Sequence, residues 1–267
     1  MKGENAFITL TSTYDMRLVV LSYLVASVAS FTALDLAGRV TSSKGGTRTL
    51  WLVGGAIAMG VGIWSMHFIA ALAFILPIPV SYDVPMTLIS MIPAIIVSWI
   101  ALFVVSRESM GITPLIVGGL IMGPGIAAMH YTGVSAMRME GMISYNPALI
   151  GLSVFVAFVI SLVALWLAFH LRSETGGIGT LQKFVSAMVM GGAIVGMHFT
   201  GQAATSVSPL DSAVALHGPE ATAGNTWLAV MIGIATGAIL GLVLLSSFFN
   251  KRASGHSSVG QPHSSSI

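Results

Sequence analysis

Seven long apolar runs, separated by short polar connections, make up most of the chain; they fall at about 16–38, 50–74, 86–105, 113–136, 147–170, 184–205 and 226–249. Each is long enough to cross a bilayer as a helix, which takes roughly 20 residues, and a helix satisfies its own backbone hydrogen bonds in lipid. The pattern predicts an all-α integral membrane protein of seven transmembrane helices. A short outer segment is expected over 1–15, the membrane domain over 16–249 and a disordered cytoplasmic tail, Ser-rich and charge-poor, over 250–267. The first run follows the polar stretch KGENAFITLTSTYD, carries Arg17 and leads into a basic loop without a clear cleavage site, so it is expected to stay in the membrane and not to be a cleaved signal.

The runs are not independent. The first, third and fifth share a frame: YDMRLVVLSYLVASVASFTAL from Tyr14, YDVPMTLISMIPAIIVSWIAL from Tyr82 and YNPALIGLSVFVAFVISLVAL from Tyr145. Tyr-Asp or Tyr-Asn is followed at one spacing by Ser22, Ser90 or Ser153, and later by Ser-x-x-Ala-Leu at Ser30, Ser98 or Ser161. The second, fourth and sixth runs carry MGVGIWSMHFIA from Met59, MGPGIAAMHYTG from Met122 and MGGAIVGMHFTG from Met190. The unit is therefore a pair of helices written three times, and the seventh run is appended with Asn225-Thr226-Trp227 as a faint echo. A two-helix unit returns the chain to its starting side, so the copies are parallel and related by a pseudo-threefold axis along the membrane normal.

That symmetry places His67, His130 and His198 at one depth. They lie about seven residues inside the outer ends of their helices, roughly 10 Å at 1.5 Å per residue. Three imidazoles at one depth can meet on the axis. A lone histidine on an apolar helix is ordinarily a packed residue, but a triplicated one in lipid, where buried polar groups are costly, is a functional candidate. Met66, Met129 and Met197 stand beside the histidines, whereas Met59, Met122 and Met190 lie seven residues earlier on the same stripe and are read as core filler. Gly123-Pro124-Gly125 can bend the fourth helix just before its Met-His step.

Composition narrows the chemistry. The chain is 55% hydrophobic and 7% charged, with mean hydropathy +0.91. Its net charge of +2 comes from scattered basic residues that form no patch, so a nucleic-acid partner is not expected. The absence of Cys removes disulfides, thiolate zinc sites and iron–sulfur clusters. Imidazole with thioether, and no carboxylate in the phrase, suits copper, particularly Cu(I). No paired carboxylates, activated nucleophile or phosphate loop are visible, so no enzyme is expected. A haem held by two histidines fits a triplicate poorly. Transport of copper or another small species stays open as the alternative to sensing, although the inner halves offer no continuous polar path apart from Asp35 and the repeated serines.

Arg39, Lys44, Arg48, Arg107, Arg172, Lys183, Lys251 and Arg252 fall on one side, against Lys2, Arg17 and Arg138 on the other. The positive-inside bias puts the N-terminus outside and the C-terminus in the cytoplasm. Asp35 and Arg39, four apart, are expected to pair, and His170 is expected at the interface beside Arg172. Ser22, Ser90 and Ser153 lie near the depth of the histidines, where they either bond the ring nitrogens or, as core serines do, their own helix carbonyls.

The Met-His phrases on alternate helices resemble the MHYT domain, a bacterial integral-membrane module, over about residues 10–250. The motif is complete at Met129-His130-Tyr131-Thr132, has Phe199 for tyrosine in the third copy, and departs to Phe68-Ile69 in the first. The resemblance implies that His67, His130, His198, Met66, Met129 and Met197 bind copper near the outer face, and that the domain senses oxygen, carbon monoxide or nitric oxide in the bacterial inner membrane. It also implies output through cyclic-dinucleotide signalling modules. None is present in this chain, so a separate signalling partner is expected.

Overall fold

The computed structural model describes residues 10–174, 176–209, 225–238 and 241. Among them, six helices are long and apolar enough to cross a membrane. They are α1 (Met16–Ser42), α2 (Gly45–Leu72), the span made of α3 (Val84–Ile89) and α4 (Met91–Val105), α5 (Ile112–Ser135), α6 (Pro147–Leu171) and α7 (Gly176–Ala203). The third span is interrupted at Ser90 because Pro93 has no N–H to give the carbonyl of Ile89, four residues back. α5 runs past Pro124 as one helix. A further apolar helix, α8 (Thr226–Ala238), covers the start of the predicted seventh run. The remainder of that run, apart from residue 241, and the predicted tail over 250–267 lie outside the described residues, as do residues 1–9.

The six spans close into a ring: α1 packs on α2, α2 on α4, α4 on α5, α5 on α6, α6 on α7, and α7 returns to α1. The seams between repeats are made by the glycine after each early methionine. A Cβ on Gly60 would lie 2.7 Å from the Ile95 backbone nitrogen, one on Gly123 2.8 Å from that of Phe158, and one on Gly191 2.8 Å from that of Ser27. Ser27, Ile95 and Phe158 are equivalent residues, so one contact is made three times and only glycine permits it.

Each repeat is also closed by a short antiparallel ribbon that the hydropathy pattern gives no hint of. β1 (Thr13–Tyr14) pairs with β2 (Phe74–Ile75), β3 (Ser81–Tyr82) with β4 (Met137–Arg138), and β5 (Gly141–Tyr145) with β6 (Thr205–Pro209). All three ribbons join the start of a repeat to its end and so lie at one end of the bundle. The recurring Tyr-Asp/Asn step has its physical meaning here. Asp15, Asp83 and Asn146 are N-caps whose side chains accept from Arg17, Met86 and Ala148 backbone N–H groups. Their own N–H groups donate to the carbonyls of Ala73, Ala136 and Ala204 at 2.8–2.9 Å. One residue thus starts the odd helix and ties it to the end of the even one.

The opposite end is basic. Arg39 pairs with Asp35 at 2.7 Å, as the spacing predicts. Arg172 donates to the carbonyls of Val105 and, at 2.6 Å, Arg107, and its guanidinium lies over Phe169. At the ribbon end α8 joins the core through Leu228 and Ile232, in a cluster with Val25 and Ala26.

Candidate metal centre

α2, α5 and α7 bring His67, His130 and His198 together at the ribbon end, all three almost fully buried. One ligand nitrogen from each lies within 4.8 Å of the others. The ring centroids form a nearly equilateral triangle of 5.0, 4.9 and 5.0 Å, each pair edge to face. Nδ1 of His67 is 3.1 Å from Nδ1 of His198. The Nε2 atoms of His67 and His198, and both nitrogens of His130, have no hydrogen-bond partner among the described residues.

The seating of the rings explains a residue of the phrase that sequence reading passed over. The glycine three residues after the histidine receives the imidazole of the preceding repeat: a Cβ on Gly133 would collide with Nε2 of His67, and one on Gly201 with Nε2 of His130. The equivalent position in the first repeat is Ala70, which is fully buried. The glycines were visible in MHYTG and MHFTG, but only the packing tells what they leave room for.

Unpaired imidazole nitrogens in an apolar bundle are costly unless something accepts their lone pairs. A metal at about 2.0–2.1 Å from each of three nitrogens would hold them about 3.5 Å apart; Nδ1 of His67 and Nδ1 of His198 are 3.1 Å apart, and one ligand nitrogen from every ring lies within 4.8 Å of the others. The three imidazoles therefore fit a single metal ion, and imidazole donors suit copper among others. Met66, Met129 and Met197 each adjoin one of these histidines in sequence. All three are buried, and Met66 belongs to one buried cluster with Trp64 and Phe68.

The serines do not reach the rings. Ser22, Ser90 and Ser153 donate to the carbonyls of Val19, Thr87 and Ile150, three residues back, at 2.7–2.8 Å. Ser153 also meets the hydroxyl of Tyr131 at 2.7 Å, a contact denied to the other repeats by Phe68 and Phe199. His170 is exposed near the basic end, its Nδ1 2.8 Å from the Trp166 carbonyl, and takes no part in the site. His217, His256 and His263 fall outside the described residues.

The early methionines meet at a second level. Met59, Met122 and Met190 line one apolar cavity of about 50 Å³ together with Ala33, Ala101 and Ala164, which are equivalent residues of the odd helices.

Comparison with known proteins agrees with this symmetry. The profile of the MHYT family, a bacterial signalling protein N-terminal repeat, matches residues 60–118 and 123–180; the structure adds the third copy, from Met190. The chain is 46% identical over 250 residues to the bifunctional diguanylate cyclase/cyclic di-GMP phosphodiesterase MucR of Pseudomonas aeruginosa, covering 94% of this chain and 36% of that protein. It is 35% identical to the cyclic di-GMP phosphodiesterase NbdA of the same organism, over 93% of this chain and 31% of the relative. It is 36% identical to the signaling protein YkoW of Bacillus subtilis, over 73% and 24%. The chain thus spans about a third or less of the length of these relatives. No solved structure matches it. The repeated Met-His helices around one axis, the matched profile and these relatives together show that the chain belongs to the MHYT family of bacterial signalling proteins.

Proposed function

We propose that this domain is a membrane sensor in which His67, His130 and His198 hold a copper ion, Met66, Met129 and Met197 flank it, and a diatomic gas is the signal. The observation that carries the reading is the convergence of three buried imidazoles from three repeats with most of their ring nitrogens unpaired. Bound copper would supply a coordination position open to oxygen, carbon monoxide or nitric oxide. The protein's part is to fix the three donors, exclude water and lipid, and couple the donors to the fold. Each histidine belongs to a different repeat, and the repeats meet through glycine seams that tolerate almost no change in spacing. A shift of the imidazoles therefore has to be taken up as a shift between repeats, which reaches the basic end.

The basic end is assigned to the cytoplasm and the ribbon end to the outer face of the bacterial inner membrane. The domain itself is non-catalytic in this reading. Its output goes to a cyclic-dinucleotide enzyme, as the names of MucR and NbdA indicate for those proteins, either on the same polypeptide or as a partner. The test is to load the purified protein with Cu(I) and expose it to each gas. Retained copper with a gas-dependent spectrum is expected; no retained copper contradicts the reading. Copper handling is the second reading, favoured by the second level of methionines on the same axis. Retained copper that responds to no gas would select it.

A further inference from the structure

The triad is threefold in its histidines but not in what lies one turn beyond them. Four residues after each histidine, toward the ribbon end, stand Ala71, Val134 and Gln202. Two are apolar. Gln202 is 1% exposed, and neither its carbonyl oxygen nor its amide nitrogen has a hydrogen-bond partner among the described residues. Leaving a buried polar group unpaired is costly, a cost the other two repeats do not carry at this position.

Gln202 is also part of the wall of a cavity of about 280 Å³ at the ribbon end, lined further by Ser12, Tyr14, Phe74 and Thr205. Thr205 Oγ1 is a second buried polar atom with no partner among the described residues. Among the described residues no Asp, Glu, Lys or Arg lines the cavity, and partial burial raises the Tyr14 phenol above its ordinary pKa, so the described walls are neutral at neutral pH. Residues four apart share a helix face, so Gln202 lies on the His198 face of α7, one turn nearer the ribbon end, and also lines the cavity. Neutral walls give an ion nothing to pair with. A small uncharged ligand can pass them, and Gln202 offers it an N–H that has no other partner among the described residues.

We propose, resting on the metal-centre reading above, that this cavity is the port by which a neutral diatomic ligand reaches the triad, and that Gln202 donates its amide N–H to that ligand when it is held there. The other two repeats offer no such donor, so the ligand is oriented toward one side of a threefold site. Such a donor discriminates among ligands of similar size by the negative charge they carry on the distal atom, as distal hydrogen-bond donors do in other metal pockets.

The test uses the full chain loaded with Cu(I) and carbon monoxide as the probe, read by infrared spectroscopy and by recombination after flash photolysis. Gln202→Leu, which matches the apolar character of Ala71 and Val134, should keep its copper and move the C–O stretch to higher wavenumber through loss of the hydrogen bond. Gln202→Asn keeps the amide but withdraws it by one methylene, and should shift the stretch in the same direction by less. Ser12→Trp, at an exposed residue of the port, should slow recombination without moving the stretch. Unchanged stretches in both Gln202 variants overturn the donor assignment, as does loss of copper from Gln202→Leu, which would make Gln202 a ligand. Unchanged recombination in Ser12→Trp overturns the port. A parent protein that retains no copper overturns the metal centre and this inference with it.

Discussion

Two levels of one axis invite comparison, because the same three helices build both. At the first, Met59, Met122 and Met190 face a small apolar cavity. At the second, eight residues further along each helix, His67, His130 and His198 face one another. Both levels are triplicated, so triplication alone does not make a site. The difference is polar: a thioether can be buried among alanines at little cost, whereas an imidazole nitrogen without a partner cannot. The methionine level has what a core requires, and the histidine level lacks something to bond.

Five substitutions break or sharpen that contrast, taken from the largest expected effect, with one reverse change set beside its partner. His130→Ala removes one of three ligands and should weaken Cu(I) binding, measured by competition with a chelator, by more than the roughly 10–100-fold typical of losing an outer partner of a metal ligand. Gly133→Ala leaves every ligand in place but puts a methyl where His67 Nε2 rests, and is expected to cost about 10–100-fold in the same titration. The reverse change, Ala70→Gly, only makes room and should leave affinity unchanged. Met129→Ala, beside the triad and not within it, should cost less than about tenfold, by comparison with the range for an outer partner. Met122→Leu at the apolar level should leave copper binding untouched and change stability by less than about 1.5 kcal/mol, as volume-conserving core swaps do, in a denaturant or thermal melt. Copper lost from Met122→Leu as readily as from His130→Ala would erase the distinction between the levels.

Much of this was legible in the sequence, for a physical reason. Membrane spans announce themselves by length and hydropathy, and a repeat fixes depth, so the meeting of His67, His130 and His198 follows from three equal offsets along three parallel helices. What was illegible depended on neighbours. The Tyr-Asp/Asn steps at Tyr14, Tyr82 and Tyr145 read as a frame marker, but their cap and ribbon bonds to Ala73, Ala136 and Ala204 join residues about 58 positions apart, as from Asp15 to Ala73. The ribbons β1 to β4 are two residues long, too short for any alternation to show. Ser22, Ser90 and Ser153 could face either way by periodicity, and their own helix carbonyls won because a bond three residues back needs no help from another helix. Gln202 looks like one more polar residue near a helix end until its surroundings prove to offer it no partner among the described residues.

X-ray absorption at the copper edge tests the central claim most directly. The purified chain, loaded with Cu(I) and dialysed under reducing conditions, is predicted to retain about one copper whose inner shell is dominated by three nitrogen donors at about 2.0 Å, as for imidazole ligands, supplied by His67, His130 and His198. Sulfur is expected only as a weaker, more distant scatterer from the flanking methionines. A chain that retains no copper, or one whose copper shell is mainly sulfur, would contradict the account, the second outcome moving the site to the methionine level.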